Sequence, residues 1–121
     1  TCVGRMLARI EDERLERKAQ EGLYRELLAG LENMVLPPEG DLALSHFTIL
    51  VPPSRRNVLR ARLMGLGIDT GTFFGFPAHL SRRCFPLAYM RSLEVLNLPM
   101  GRRLGWSGAR RVAEAVRRIW A

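Results

Sequence analysis

The chain has 121 residues, enough for one domain with a buried core. Its 47% hydrophobic and 26% charged residues are typical of a globular protein. Its apolar runs fall short of the roughly 20 residues that cross a bilayer, and no signal-peptide pattern opens it, so we expect a cytoplasmic protein without membrane contact. Cys2 and Cys84 lack the spacing of zinc ligands or of a disulfide framework, which predicts two reduced thiols and no metal site.

The net charge of +7 is concentrated in the second half of the chain. Residues 1–30 carry six basic and six acidic side chains, whereas residues 55–121 carry thirteen arginines and three acidic residues. An excess of this kind attracts phosphates, nucleic acid or an acidic protein surface. We expect solvated surface arginines, and a basic nucleic-acid-binding module is the alternative.

The first predicted element is a long helix over residues 4–30. Its apolar residues recur every three or four positions, as expected for one buried face: Leu15, Ala19, Leu23, Tyr24, Leu27, Leu28 and Leu31. Thr1 is the only residue before it that can act as a cap, and Gly4 is a poor first residue. We therefore expect the chain to be a fragment that starts inside this helix.

A turn-rich connector over residues 37–41 leads to a strand in which apolar Phe47, Ile49 and Val51 alternate with residues of the other face. The pair Pro52-Pro53 ends this strand, and Ser54 is the predicted N-cap of a second helix. The predicted core face of that helix consists of Val58, Leu59, Leu63 and Leu66. Gly65 and Gly67 end the helix just after Leu66, and residues 68–70 start a second strand.

Three phenylalanines, Phe73, Phe74 and Phe76, crowd the loop that follows, together with Pro77 and His79. An exposed loop of this composition needs a cover. Short helical pieces are predicted over residues 81–85 and 87–93, broken at Pro86.

A third strand is predicted over residues 94–98, followed by a last helix with Ser107 as its N-cap. The apolar face of this helix consists of Val112, Val116, Ile119 and Trp120. The order of elements predicts an α/β fold, more narrowly an α+β small domain: a three-stranded sheet covered by helices, with a long N-terminal helix.

Motifs of independent catalysis are missing from the sequence: there is no nucleophile elbow, Walker loop or dinucleotide fingerprint. The run GLGIDTG follows a helix rather than a strand, so it is interpreted as a helix end with a turn. Lys18 lies among charged residues, whereas a Schiff-base lysine needs a desolvated pocket. His46 alternates along a strand and is interpreted as structural, while His79, beside aromatic residues, is equally consistent with a site role.

Several motifs occur together in the order of a known family. Arg17-Lys18, followed by Tyr24 and Leu28, resembles the basic pair, tyrosine and leucine of the helix that joins two domains in the DegT/DnrJ/StrS aminotransferases. The strand HFTILVP, the helix ending in LMGLGIDTG, Pro77 and His79 as P-x-H, and the run VLNLPM follow as in that family's C-terminal domain. The resemblance extends over about residues 4–120.

The resemblance implies a pyridoxal-phosphate enzyme of fold type I, a group in which many members aminate nucleotide-linked keto sugars. Residues 1–30 are then the interdomain helix and residues 31–121 the small C-terminal domain. In the family the large N-terminal domain supplies the cofactor lysine and the phosphate-binding residues, and no position here matches them. The resemblance therefore implies that this chain has no catalytic or cofactor-binding residue and is inactive alone.

The partners implied by the resemblance are the missing large domain, the second subunit of a homodimer and a nucleotide-sugar substrate. The implied substrate-side loop contains Phe73, Phe74, Phe76, Pro77 and His79. Arg82 and Arg83, which match no family motif, are candidates for contact with a substrate phosphate. A non-catalytic relative that regulates or scaffolds a true aminotransferase is a further alternative.

Overall fold

The computed structural model describes residues 1–72 and 76–121, with four helices and two strands in this described part. In chain order the elements are α1 (Cys2–Leu28), β1 (Phe47–Leu50), α2 (Pro53–Gly65), α3 (Pro86–Glu94), β2 (Val95–Leu98) and α4 (Gly105–Trp120). The two strands are antiparallel, with Phe47 opposite Leu98 and Leu50 opposite Val95. The mixed fold with a long N-terminal helix is confirmed.

The sheet has two strands in the described part of the chain rather than the predicted three. The stretch predicted as the second strand contributes one bridge, in which Gly71 and Asn97 exchange backbone hydrogen bonds of 3.0 and 2.7 Å. Ile68 cannot extend this ladder because its N–H closes the end of α2, donating to Leu63 O at 2.9 Å. Gly67, with a φ of 77°, makes the accompanying bond to Met64 O, so α2 ends in a Schellman motif just after Leu66, as predicted.

The starts of α2, α3 and α4 differ from the prediction because backbone geometry, not a capping side chain, sets them. Pro53 is the first residue of α2, where its fixed φ is favourable and its missing N–H costs nothing; Ser54 is therefore inside the helix. Pro86 likewise begins α3, and residues 81–85 form a turn rather than a helical piece. Gly105 N–H donates to Gly101 O at 3.2 Å, so α4 begins two residues before Ser107.

The core lies against one face of the sheet. Phe47 and Ile49 of β1 pair with Leu98 and Leu96 of β2, and all four are completely buried. They form one cluster with side chains of α1, α2 and α4. Three of the four predicted apolar residues of α4 are fully buried and Ile119 is half-buried, whereas in α2 the predicted Val58 and Leu66 are exposed.

Only the second half of α1 is buried. Leu15 was predicted to belong to the buried row but is 54% exposed. A row of every fourth residue advances about 40° around a helix at each step, so Leu15 ends up on the side opposite Tyr24. Near the start of α1, four apolar side chains are 61–66% exposed; we call them the α1 stripe: Val3, Met6, Leu7 and Ile10.

Gln20 connects α1 to the turn after β2. Its side-chain Nε2 donates to Gly101 O, and its Oε1 accepts from Gly101 N–H, both at 2.8 Å. Gln20 is completely buried, so water cannot replace either bond. The Gly101 N–H therefore depends on this one side chain, whereas Gly101 O also accepts from Gly105 N–H.

Replacing Gln20 with Leu keeps the volume but leaves the Gly101 N–H buried and unpaired, while the Gly101 C=O keeps its bond from Gly105 N–H. We expect the free energy of unfolding, measured with urea, to fall by about 1–3 kcal/mol, the cost of one unsatisfied buried group. Glu26→Gln on the exposed side of the same helix is the control, with an expected change within about 0.5 kcal/mol. Equal stability of the two variants would contradict the role assigned to Gln20.

Tyr24 makes a second connection between α1 and β2. Its ring stacks on Phe47 with centroids 5.0 Å apart, and its hydroxyl donates to Pro99 O at 2.7 Å. Burial raises the pKa of the Tyr24 phenol far above its usual value of 10.0, because the ionised form would lose its hydration. The folded chain therefore holds this proton more tightly than the unfolded chain.

A raised pKa in the folded state means that the stability linked to Tyr24 is fully present below pH 10 and lost as the pH rises further. We expect the free energy of unfolding to fall by up to about 1.4 kcal/mol per pH unit above pH 10 through this group. Tyr24→Phe is expected to lower stability by about 1 kcal/mol at pH 7 and to remove that part of the alkaline loss. Tyr89→Phe retains Tyr24 and should keep the wild-type slope.

Candidate functional site

The loop before α3 is organised around one aromatic ring, that of Tyr89. The Phe76 ring meets it edge to face, with centroids 5.5 Å apart and planes at 83°. The Arg82 guanidinium lies 4.7 Å from the centre of the same ring. Tyr89 thus holds two residues of the predicted site together, one by an aromatic contact and one by a cation–π contact.

Both ends of this loop are fixed to the sheet. At the start, the Gly71–Asn97 bridge pairs the chain with β2. At the end, α3 continues without a break into β2, and Glu94 O accepts from Val51 N–H at 3.0 Å. Arg56 of α2 also donates to Ser92 O of α3 at 2.7 Å. The loop therefore leaves and returns at one edge of the domain.

The predicted site residues differ in their surroundings. Phe73 and Phe74 lie outside the described residues. Pro77 and His79 are exposed in a tight turn, where Pro77 O accepts from Leu80 N–H at 3.1 Å. Arg83 is exposed in the next turn, beside Arg82. The structure brings together Phe76 and Arg82, and leaves His79 and Arg83 pointing outward at the surface of the same loop.

Sequence reasoning missed Tyr89. The residue lies on α3, three positions after Pro86, and nothing in the local pattern links it to residues seven and thirteen positions earlier. The signal that was available is the presence of a tyrosine in the first turn of a helix that follows an aromatic and basic loop. Its burial is intermediate, so part of the side chain is accessible.

The basic pair of α1 holds the connector over residues 31–46. Arg17 donates to Leu44 O at 3.2 Å and to Ser45 O at 2.7 Å. Lys18 donates to Gly40 O and pairs with Glu21 at 3.2 Å. Arg25 continues the row, donating to Pro37 O at 2.6 Å. These three residues donate to backbone carbonyls of the connector, which has no helix or strand of its own to pair those carbonyls. The basic motif of α1 therefore fixes the turn-rich connector that follows it.

The comparisons with known proteins agree on one family. Residues 1–117 match the model of the DegT/DnrJ/EryC1/StrS aminotransferase family. The chain belongs to this family. It is 35% identical over 127 aligned positions to the dTDP-3-amino-3,4,6-trideoxy-alpha-D-glucose transaminase of Streptomyces venezuelae, with 95% of this chain and 33% of that protein covered.

Solved structures of aminotransferases share the fold. The crystal structure of S. venezuelae DesV in complex with a ketimine intermediate matches with a TM-score of 0.80 and 34% identity, covering 93% of this chain and 33% of that one. The aminotransferase TlmJ of Streptoalloteichus hindustanus matches with a TM-score of 0.81 at 22% identity, covering 95% of this chain and 34% of that one, which shows the fold alone. The chain spans about a third of the length of these relatives.

Aminotransferases of this family use pyridoxal phosphate, and the residues of this chain do not fit that cofactor. Lys18 is its single lysine. The Lys18 ammonium is held by the Gly40 carbonyl and the buried Glu21 carboxylate. A lysine that bonds covalently to the cofactor must instead be desolvated and uncharged before it reacts. No clusters of metal-ligating side chains and no helices able to span a membrane occur in the described ranges.

Tyr89, Phe76 and Arg82 form what we call the Tyr89 cluster. We expect this cluster to limit how easily the loop opens. Tyr89→Leu removes both ring contacts, and trypsin should then cleave after Arg82 and Arg83 about two to five times faster, as expected for loss of contacts worth about 0.5–1 kcal/mol. Tyr89→Phe keeps the ring and is the matched control, with near wild-type cleavage. Equal rates for all three proteins would show that the ring does not hold the loop.

Proposed function

We propose that this chain is the C-terminal small domain of a pyridoxal-phosphate-dependent aminotransferase that acts on a nucleotide-linked keto sugar. The observation that carries the proposal is a match over 95% of the chain to only a third of a dTDP-amino-sugar transaminase. Residues 1–30 then form the interdomain helix and residues 31–121 the small domain. The domain contributes to the substrate side of the site and is inactive alone, since its single lysine is engaged in other bonds.

Two exposed apolar surfaces are suited to the missing contacts. The α1 stripe lies on the same side of α1 as Arg17 and the buried Leu28. We assign this stripe to the large domain of the same polypeptide. The second surface, which we call the α3 patch, consists of side chains that are 37–66% exposed: Leu80, Phe85, Leu87 and Met90. We assign the α3 patch to the second subunit of a homodimer. Burying exposed apolar area is the main favourable term in such association.

The loop from Phe73 to Arg83 is assigned to the substrate side of the shared active site. Its support is the fixed position of both loop ends and the Tyr89 cluster, which presents Arg82 next to an accessible ring. His79, Pro77 and the phenylalanines Phe73, Phe74 and Phe76 face the substrate in this proposal. Arg82 and Arg83 contact a substrate phosphate, for which arginine is well suited. Two unpaired, exposed thiols, Cys2 and Cys84, favour a reducing cytoplasmic location.

The test uses the intact enzyme that contains this domain, assayed for amination of a nucleotide-linked keto sugar. His79→Ala is expected to lower kcat/KM about tenfold, as for loss of one hydrogen bond to the substrate. Arg118→Gln, on the exposed side of α4, is the control and should remain within twofold. The isolated 121-residue chain, supplied with pyridoxal phosphate, should aminate nothing.

Three results would overturn different parts of the proposal. No amination by the intact enzyme with any nucleotide-linked keto sugar would remove the assigned activity. Amination with equal rates for His79→Ala and Arg118→Gln would keep the activity and remove His79 from the substrate site. Amination by the isolated chain would contradict the role of the large domain.

A further inference from the structure

A polar cavity lies on the face of the sheet away from the core. It has a volume of about 520 Å³ and is lined by α2, β2, residues 69–72 and the residues that flank the two strands: Arg60, Asp69, Thr70, Gly71, Thr72, Asn97, His46, Pro99 and Met100. Because Phe47 and Leu98 point into the core, the alternation of the strands turns Thr48 and Asn97 to this opposite face. A cavity of this size accommodates a small organic molecule.

Three buried polar atoms at this cavity have no hydrogen-bond partner within the described residues: Arg60 Nε, Thr70 Oγ1 and Asn97 Nδ2. The Thr70 and Asn97 side chains are only 4% and 3% exposed. Buried polar groups in proteins are nearly always paired, and an isolated exception is already unusual. Three exceptions that converge on one cavity indicate that a ligand supplies the missing partners.

The unpartnered atoms are hydrogen-bond donors. Thr48 Oγ1 donates to Asn97 Oδ1 at 2.5 Å, which orients the carboxamide and leaves its Nδ2 hydrogens for a ligand. Arg60 Nε donates, and the Thr70 hydroxyl can donate as well. The Arg60 guanidinium takes part in none of the ion pairs found in the described ranges, so none of the carboxylates described there is within ion-pair distance of it.

A ligand that matches this site has several acceptor oxygens and a negative charge. We propose that the cavity binds a small oxyanion, a carboxylate or a phosphate, through Arg60, Thr70 and Asn97. Charge-assisted bonds from a guanidinium are stronger than neutral ones. Asp69 lines the same cavity but is exposed, so its carboxylate is screened by water and weakens the attraction without cancelling it. This binding does not depend on the proposed aminotransferase activity and is measured on the chain itself.

The experiment is a titration of the ¹⁵N-labelled 121-residue chain, followed through the Asn97 side-chain amide and the Gly71 backbone amide. Sodium acetate and sodium phosphate are added separately, with sodium chloride at matched ionic strength as the reference. We expect saturable shifts with at least one oxyanion and none with chloride. Comparing the affinity for acetate with the affinity for phosphate then distinguishes a carboxylate ligand from a phosphate ligand.

Variants separate a built site from general attraction to a basic surface. Arg60→Gln should weaken binding roughly 10- to 100-fold, as expected for a lost charged hydrogen bond. Arg62→Gln removes the same charge two residues further along α2, where the side chain is exposed, and should stay within twofold. Asp69→Asn should tighten binding severalfold.

Thr70→Val tests the site without a change in charge or shape. It should weaken oxyanion binding while leaving the chain folded, because it removes only an unpartnered hydroxyl. The proposal is overturned if neither oxyanion gives saturable shifts, which would mean that water alone fills the cavity. It is also overturned if Arg62→Gln weakens binding as much as Arg60→Gln, or if Thr70→Val has no effect.

Discussion

The pairing of the Gln20 carboxamide with the backbone of Gly101 is the constraint on which the rest of this domain depends. It joins residues 81 positions apart and is completely buried, so no solvent can substitute for it. Gly101 is suited to this position because its φ is 122° and a Cβ there would lie 3.0 Å from Arg17 Nη2. A larger residue would be strained at this φ and would have to displace the ends of the Arg17 and Glu13 side chains.

Strand β2 connects α1 to both faces of the sheet. Tyr24 donates to Pro99 O just beyond this strand, and α3 leads directly into it, so the long helix and the Tyr89 loop share one support. Within β2, Leu96 and Leu98 point to the core while Asn97 points to the polar cavity. A displacement of α1 would therefore move the core face, the loop and the cavity together, because a strand transmits a shift to both of its faces.

The positive charge of the second half is partly used inside the domain. Arginines bind backbone carbonyls at helix ends: Arg55 with Trp120 O, Arg111 with Leu66 O and Arg56 with Ser92 O. Carbonyls at a helix C-terminus lack partners in the helix and carry the negative end of its dipole, so a guanidinium satisfies both needs. Composition alone makes such arginines look like a surface for phosphates, whereas their distribution in the fold gives several of them a structural role.

The sequence by itself determined the features that depend on near neighbours. The existence and order of the elements that did form, the glycine motif that ends α2 and the alternation of β1 follow from local backbone preference and periodicity, and the ordered motifs identified the family. The tertiary structure alone decided which half of α1 is buried, that the predicted second strand is reduced to a single bridge at Gly71, and that Tyr89 organises the loop. It also decided that Thr70 and Asn97 meet across a cavity. These contacts join residues far apart in sequence. A local pattern does not specify the distance between such residues, because that distance is set by the packing of the whole chain.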